Sequence, residues 1–327
     1  MKLFFFPPCP REGYINPYCI HYKNCMQQFF FVEESKNPTT KMKSLTFFHY
    51  ALSSDLFILN WIENAHEWKF GLLQFFFVML SLKLIKLRRK KIIWMLHNIN
   101  PHEGSTFFSD YIKKWLFKNA SLVVSHSNEA AEHAKEHARH HVAYICHPIY
   151  PFITGHCKKV TGSCDILIWG SILPYKGIAE FLENFSEKLH DKKIVILGKC
   201  TDVNLNHRIE AAITKNIFFQ NDFVEFDEIA AYAKKAQYVL FPYIGNCVSS
   251  SGALMDTIAM NGGIPVGPNK GAFKDLAQEG VCLTYNSYDE LFTILKVSQP
   301  QKDFTNFIRE HSWENFAKEM NNLINNL

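Results

Sequence analysis

Short apolar runs alternate with longer mixed stretches along most of the chain. In the first half the runs Lys2–Phe6, Phe29–Glu33, Asp55–Trp61, Lys91–Ile99, Ser121–Ser125 and Val142–Cys146 have the length and content of buried strands. Helix-like stretches near Pro17–Gln27, His66–Leu87, Thr106–Lys118 and Asn128–Arg139 separate them. The rhythm then restarts with Asp165–Trp169, Lys193–Leu197, Asn216–Gln220, Tyr238–Pro242, Ile264–Val266 and Val281–Thr284. Strands that are apolar without alternation, each followed by a helix, predict a parallel sheet covered on both faces. The stretch 150–163, with its Pro, Gly, Thr and Lys, reads as a linker. The expected architecture is α/β: two Rossmann-like, doubly wound domains over 1–150 and 151–312 with a central cleft between them. A final helix over 313–327 is free to pack on either domain.

Composition agrees with two cores. The chain has 327 residues, 47% hydrophobic and 15% aromatic, too apolar for a disordered segment. A net charge of +4, with Lys and Arg nearly matched by Asp and Glu, gives no footprint of a nucleic-acid binder. Nine scattered cysteines, an odd number without a C-x-x-C pair, predict reduced thiols in a cytoplasmic protein. The opening three-Phe run is cut by Pro7 and Pro8, so it reads as a first strand and not as a secretion signal.

The greasiest stretch is Phe70–Leu87. Gln74, Lys83 and Lys86 interrupt it and Arg88, Arg89, Lys90 and Lys91 follow, so it falls short of the ~20 uncharged residues a membrane span needs. Two readings remain for 70–91: a helix packed between elements, or a helix lying on an anionic bilayer with Lys and Arg at the head groups.

Three constellations carry candidate chemistry. The first is Trp169-Gly-Ser171-Ile-Leu-Pro-Tyr175-Lys176-Gly177, between a strand and a helix. Such a turn aims backbone N–H groups and a helix dipole at an anion, and Lys176 adds a positive charge. The second is Ser249-Ser250-Ser251-Gly252, after the strand ending in Pro242-Tyr243. It reads as an N-cap that also suits a diphosphate or sugar hydroxyls. The third is His97-Asn98-Ile99-Asn100-Pro101-His102-Glu103, at the carboxyl end of a strand, where open α/β sheets bind ligands. Two His and one Glu there can supply a base near neutral pH. His133, His137 and His140 share one helical face at metal-ligand spacing, but the charged residues around them read as a solvated surface. No metal site is therefore predicted.

The sequence resembles bacterial GT-B glycosyltransferases, and among them the β-mannosyltransferase of xanthan assembly and its relatives in capsule and exopolysaccharide synthesis. The resemblance is carried by Asn16-Pro17-Tyr18; Asp55–Trp61 with Glu63; His97-Asn98 and Pro101-His102-Glu103; Gly170 with Pro174–Gly177; Pro242-Tyr243; Ser251-Gly252; and Pro265-Val266. It implies transfer of a hexose from a GDP- or UDP-sugar to a lipid-linked oligosaccharide, with no cofactor or metal ion required. The second domain would bind the donor through Ser171, Tyr175, Lys176, Gly177, Phe223, Tyr243, Ser250, Ser251 and Gly252. The first would hold the acceptor near Asn16, Tyr18, Trp61, Asn98 and His102, with Glu103, His97 and Glu63, in that order, as candidate bases. Retaining members carry two glutamates where Ser250 and Ile258 stand here, which implies inversion. Retention, an epimerase of similar form and a non-catalytic partner of the same fold are the alternatives.

Overall fold

The computed structural model describes residues 1–8, 16–33, 42–99, 106–150, 160–185, 187–245 and 250–327. Two compact units are present: 1–147 together with 313–327, and 148–312.

The first unit is built on six parallel strands: β1 (Lys2–Phe6), β2 (Phe31–Glu33), β3 (Leu56–Asn60), β4 (Lys91–Leu96), β5 (Leu122–Ser125) and β6 (His141–Tyr144). Their spatial order is β2-β1-β3-β4-β5-β6. Alternate residues feed two cores, as the period of a strand requires. Phe4, Phe6, Phe57 and Trp94 face one side, covered by α2 (Lys43–Ala51), α3 (Gly71–Leu87), α4 (Phe107–Asn119) and α5 (Asn128–His137). Leu3, Phe5, Ile58 and Met95 face the other, covered by α1 (Pro17–Met26) and the C-terminal helix (Trp313–Asn325). That last helix buries Trp313, Phe316, Ala317, Met320 and Ile324 against α1 and the sheet, so the chain's end is part of the first unit. Helix α2 is not predicted from the sequence; it owes its place to α3, whose Gln74 accepts from the Ser44 amide at 3.0 Å.

The second unit repeats the scheme with β7 (Ile166–Trp169), β8 (Ile194–Leu197), β9 (Ile217–Gln220), β10 (Tyr238–Leu240), β11 (Ile264–Pro268) and β12 (Leu283–Tyr285). Its helices are α6 (Ile178–Phe185), α7 (Val203–Ala211), α8 (Phe226–Lys235), α9 (Gly252–Ala259), α10 (Gly271–Gln278), α11 (Tyr288–Lys296) and α12 (Thr305–Glu310). The order is β12-β11-β10-β7-β8-β9, all parallel. The chain winds outward from β7 in one direction and from β10 in the other, which makes β7/β10 the switch point of the sheet.

The predicted twelve strands are all present, their ends shifted by at most three residues. One helix start moves further. The stretch read as helical from His66 is instead a 3-10 segment, Ile62–Glu67, and α3 begins at Gly71. Phe70 takes a left-handed φ of 65°, and a Cβ on Gly71 would lie 2.1 Å from the His66 carbonyl oxygen. That close approach breaks the helix and needs a glycine.

Candidate functional site

Three glycines draw the loops of the second unit together at its switch point. Gly170 closes β7 at φ +101° and Gly198 closes β8 at φ +156°; a Cβ on Gly198 would sit 2.0 Å from the Gly170 carbonyl oxygen. Gly177 takes φ +62°, and its Cβ would meet the Pro242 carbonyl oxygen at 2.2 Å. Side chains at these positions would push β7, β8 and the chain after β10 apart.

Lys176 occupies the space that results. The Pro174–Lys176 turn points it inward, and it is 7% exposed. Its Nζ would lie 3.1 Å from a Cβ on Gly170, so the bare glycine makes room for the ammonium. The Tyr243 ring centroid is 5.8 Å from Nζ, within cation–π range. No hydrogen bond or ion pair from the described residues reaches Nζ, and burial lowers the group to about 8 from its ordinary 10.5. A buried cation whose only partner among the described residues is a ring face is costly unless an anion joins it.

Helix α9 supplies the second wall. Ser251 caps it, its Oγ accepting from the Leu254 amide at 3.3 Å, and the Ser251 and Tyr243 hydroxyls are hydrogen bonded. Burial raises the Tyr243 phenol well above its ordinary value, so it stays neutral. The Trp169 indole, at the end of β7, donates to Thr257 Oγ1 at 2.9 Å, and Thr257 donates to the Ala253 carbonyl at 2.8 Å. Those bonds pin the α9 start beside Gly170. Gly252 is exposed, with open space where a side chain would be. Tyr175 packs edge-on to Tyr243 at 5.9 Å. A depression of about 360 Å³ continues along the carboxyl ends of β10–β12, lined by Tyr243, Gly245, Asn269, Asn286 and Ser287 among others.

The structure thus gathers Tyr175, Lys176, Gly177, Tyr243, Ser251 and Gly252 from the residues read as donor-binding. Ser250 is half-buried just before the α9 cap and Ser171 is exposed on the β7 loop. Phe223 is 75% exposed after β9 and makes no ring contact with this group. Thr257, and the bond by which Trp169 fixes α9 in place, were not legible, because that contact joins elements far apart in the chain.

In the first unit the carboxyl ends of β3, β4 and β5 carry a cluster of rings. Trp61 and His97 stack at 4.2 Å and 14°. Tyr18, from α1, lies edge-on to both, at 5.9 Å and 5.3 Å. Trp61 has φ 51°, a strained value for a large side chain, which turns its ring over the end of β4. The protonation states follow from the partners. Asn60 Nδ2 donates to the Phe6 carbonyl at 2.9 Å, so its Oδ1 faces His97 Nε2 at 3.0 Å and that nitrogen must donate. Burial lowers His97 to about 3, so the ring is neutral and Nδ1 keeps its lone pair.

His126, at the end of β5, is the residue the sequence reading missed. Its Nδ1 donates to the Ile145 carbonyl at 2.8 Å, which leaves Nε2 to accept from the Tyr18 hydroxyl at 2.8 Å. Burial holds it well below its ordinary pKa. His147 adds a third imidazole, 4.9 Å from His126. The rule that singled out His97, a His just beyond a buried strand, applies equally to Ser125-His126-Ser127.

Glu63 does not belong to this cluster. Its carboxylate takes a 3.3 Å bond from Trp94, whose ring is in the core under α3 and α4, on the other side of the sheet from Tyr18 and Met95. Burial raises its pKa, and Lys113 lies close enough to oppose that shift. The resemblance made it the third candidate base, but it lies in the 3-10 segment Ile62–Glu67 and is buried. Asn16 caps α1, its Oδ1 accepting from the Tyr18 amide at 3.0 Å, and Asn98 is half-buried beyond β4. His102 and Glu103 lie outside the described residues. On α5, one donor atom each of His133, Glu136 and His137 lie within 4.8 Å of one another on a largely exposed face, whereas His140 is beyond the helix end.

No family model and no curated protein matches the sequence. Solved structures do match in fold. Anabaena HepE, crystallised in complex with UDP and glucose, is 12% identical with a TM-score of 0.69, covering 100% of both chains. A trehalose-6-phosphate synthase studied for glycosyl transfer with retention is 11% identical with a TM-score of 0.63, over 100% of this chain and 93% of the other. A glycosyltransferase from Rickettsia africae is 13% identical with a TM-score of 0.64, over 99% and 97%. The fold is GT-B, with two six-stranded parallel sheets flanked by helices.

Proposed function

We propose that the chain is a glycosyltransferase whose second unit holds a nucleoside-diphosphate sugar. The observation that carries this is Lys176: a buried cation without a counter-charge among the described residues, at the switch point of a parallel sheet and beside a helix start. A diphosphate there would meet the ammonium, the backbone N–H groups of the Gly170–Gly177 loop and the positive end of α9, with no metal ion needed. Ser171, Tyr175 and Ser250–Gly252 line the same region, and Phe223 and Tyr243 are the candidates for nucleoside and sugar contacts. That HepE was crystallised with UDP favours UDP-sugars over GDP-sugars here.

An acceptor hydroxyl attacks the anomeric carbon, the bond from that carbon to the diphosphate oxygen breaks, and a base takes the hydroxyl proton. His97, held neutral with its Nδ1 lone pair available, is a hydrogen-bond acceptor and too weak a base for this step at neutral pH. Glu103 is our choice of base. Stacked Trp61 and His97, beside Tyr18, offer apolar ring faces for an acceptor sugar. We read the acceptor as a lipid-linked oligosaccharide in capsule, exopolysaccharide or related glycan synthesis, and the site of action as the cytoplasmic face of a membrane. Inversion follows from Ser250 and Ile258 standing in place of the glutamate pair. Retention is the second reading, and the likeness to a retaining synthase favours it; the anomeric configuration of the product, read by NMR, separates the two.

Calorimetric titration with UDP, GDP and their sugars tests the donor site. Wild type should bind one nucleotide series, and Lys176→Ala should weaken it at least ~10-fold, as expected for a lost charge-assisted contact. If wild type binds none, the reading fails. Glu103→Gln should bind UDP as wild type does and lose turnover. Full activity in that variant would remove Glu103 as the base.

A further inference from the structure

Helix α3 is apolar on both sides. Val78, Met79, Leu82 and Ile85 are buried in the core, yet the opposite face carries Leu72 at 68%, Phe76 at 60% and Leu80 at 38% exposure. A surface helix of a globular domain normally turns polar residues outward. The exposed patch does not end with the helix. Phe75 packs on Phe108 at 5.0 Å and on Tyr111 at 5.9 Å, and through them Phe107 (75% exposed) and Tyr111 of α4 extend the same surface. Lys69, Lys83, Lys86, Arg89 and Lys114 are exposed around these two helices, and none forms an ion pair with a described acidic residue. No helix of the described residues is long and apolar enough to cross a membrane.

We propose that the α3–α4 surface docks on an anionic lipid bilayer, with Leu72, Phe76 and Phe107 entering the head-group boundary and the basic residues meeting lipid phosphates. An aromatic and aliphatic centre flanked by cations that have no acidic partner among the described residues is the chemistry of an interfacial helix. A second copy of the chain is the poorer occupant, because a shared apolar contact would bring two cationic rims together. The inference rests on the first unit alone and is independent of the donor reading.

Flotation of the full-length protein with vesicles tests it. Binding to phosphatidylglycerol–phosphatidylethanolamine vesicles should exceed binding to pure phosphatidylcholine vesicles at least ~10-fold at 0.1 M salt, and should weaken as salt rises. Leu72→Asp/Phe76→Asp should abolish binding, and Lys83→Glu/Lys86→Glu should lower it several-fold while leaving the apolar face intact. Both variants should keep the wild-type circular dichroism spectrum and wild-type nucleotide affinity, which separates loss of docking from loss of fold. Equal flotation with neutral and anionic vesicles, no flotation of wild type, or a lipid-free dimer broken by Leu72→Asp/Phe76→Asp would each overturn the proposal.

Discussion

A lysine that is 7% exposed, with no counter-charge among the described residues, has a folded pKa below its unfolded one, here about 8 against 10.5. Between those two values the unfolded chain binds the extra proton, so stability rises with pH across that window. At neutral pH the buried ammonium therefore costs the fold, on the order of 3 kcal/mol. Lys176→Met, which keeps the bulk and drops the charge, should raise the melting temperature at pH 7 while weakening nucleotide binding at least ~10-fold. A bound diphosphate raises the Lys176 pKa, so wild-type UDP affinity should be level up to about pH 8 and fall above it. Calorimetry at pH 7 and pH 9.5 checks the second statement and differential scanning calorimetry the first. A variant that melts lower than wild type would mean that a counter-charge is already present. The sequence showed Lys176 as one basic residue in a strand–helix loop; only the fold buries it, with Nζ beside Gly170 and near the Tyr243 ring.

Elements meet at this site through backbone contact, and glycines decide how closely. Gly198→Ala would place a methyl 2.0 Å from the Gly170 carbonyl oxygen, between the ends of β7 and β8, with no flexible side chain to yield. It should lower the denaturant midpoint sharply, by more than ~2 kcal/mol in stability, and weaken nucleotide binding as well. Gly252→Ala, in open space at the first turn of α9, should stay within ~0.5 kcal/mol of wild type. Equal stability losses in urea titrations of the two variants would refute this account of the switch point. Most elements were legible because a strand buried on both faces must be apolar along its length, as Ile166–Trp169 is and as β3 is up to Leu59. Helix α2 was not, since Lys43–Ala51 mixes Thr and aromatic residues and depends on α3 for its partner. The start of α3 was misplaced because the approach of Gly71 to the His66 carbonyl is a tertiary constraint.

Across the whole chain, the sequence by itself determined the α/β class, the repetition of the scheme and the order of the strands along the chain, because hydrophobic period and turn residues act locally. It also flagged the loop after β7 and the start of α9, since a strand–loop–helix turn binds anions whatever surrounds it. What it could not decide was which loops meet. Strand order places β7 beside β10, far apart in sequence, and only that pairing brings Lys176 to Tyr243 and Trp169 to Thr257. The same holds for the C-terminal helix, which returns to α1 through Trp313 and Phe316, and for Glu63, turned from an expected base into a core residue bonded to Trp94. Contacts between distant segments are chosen by packing and burial over the whole fold, so the local pattern supplies the parts and the tertiary structure selects which of them form a site.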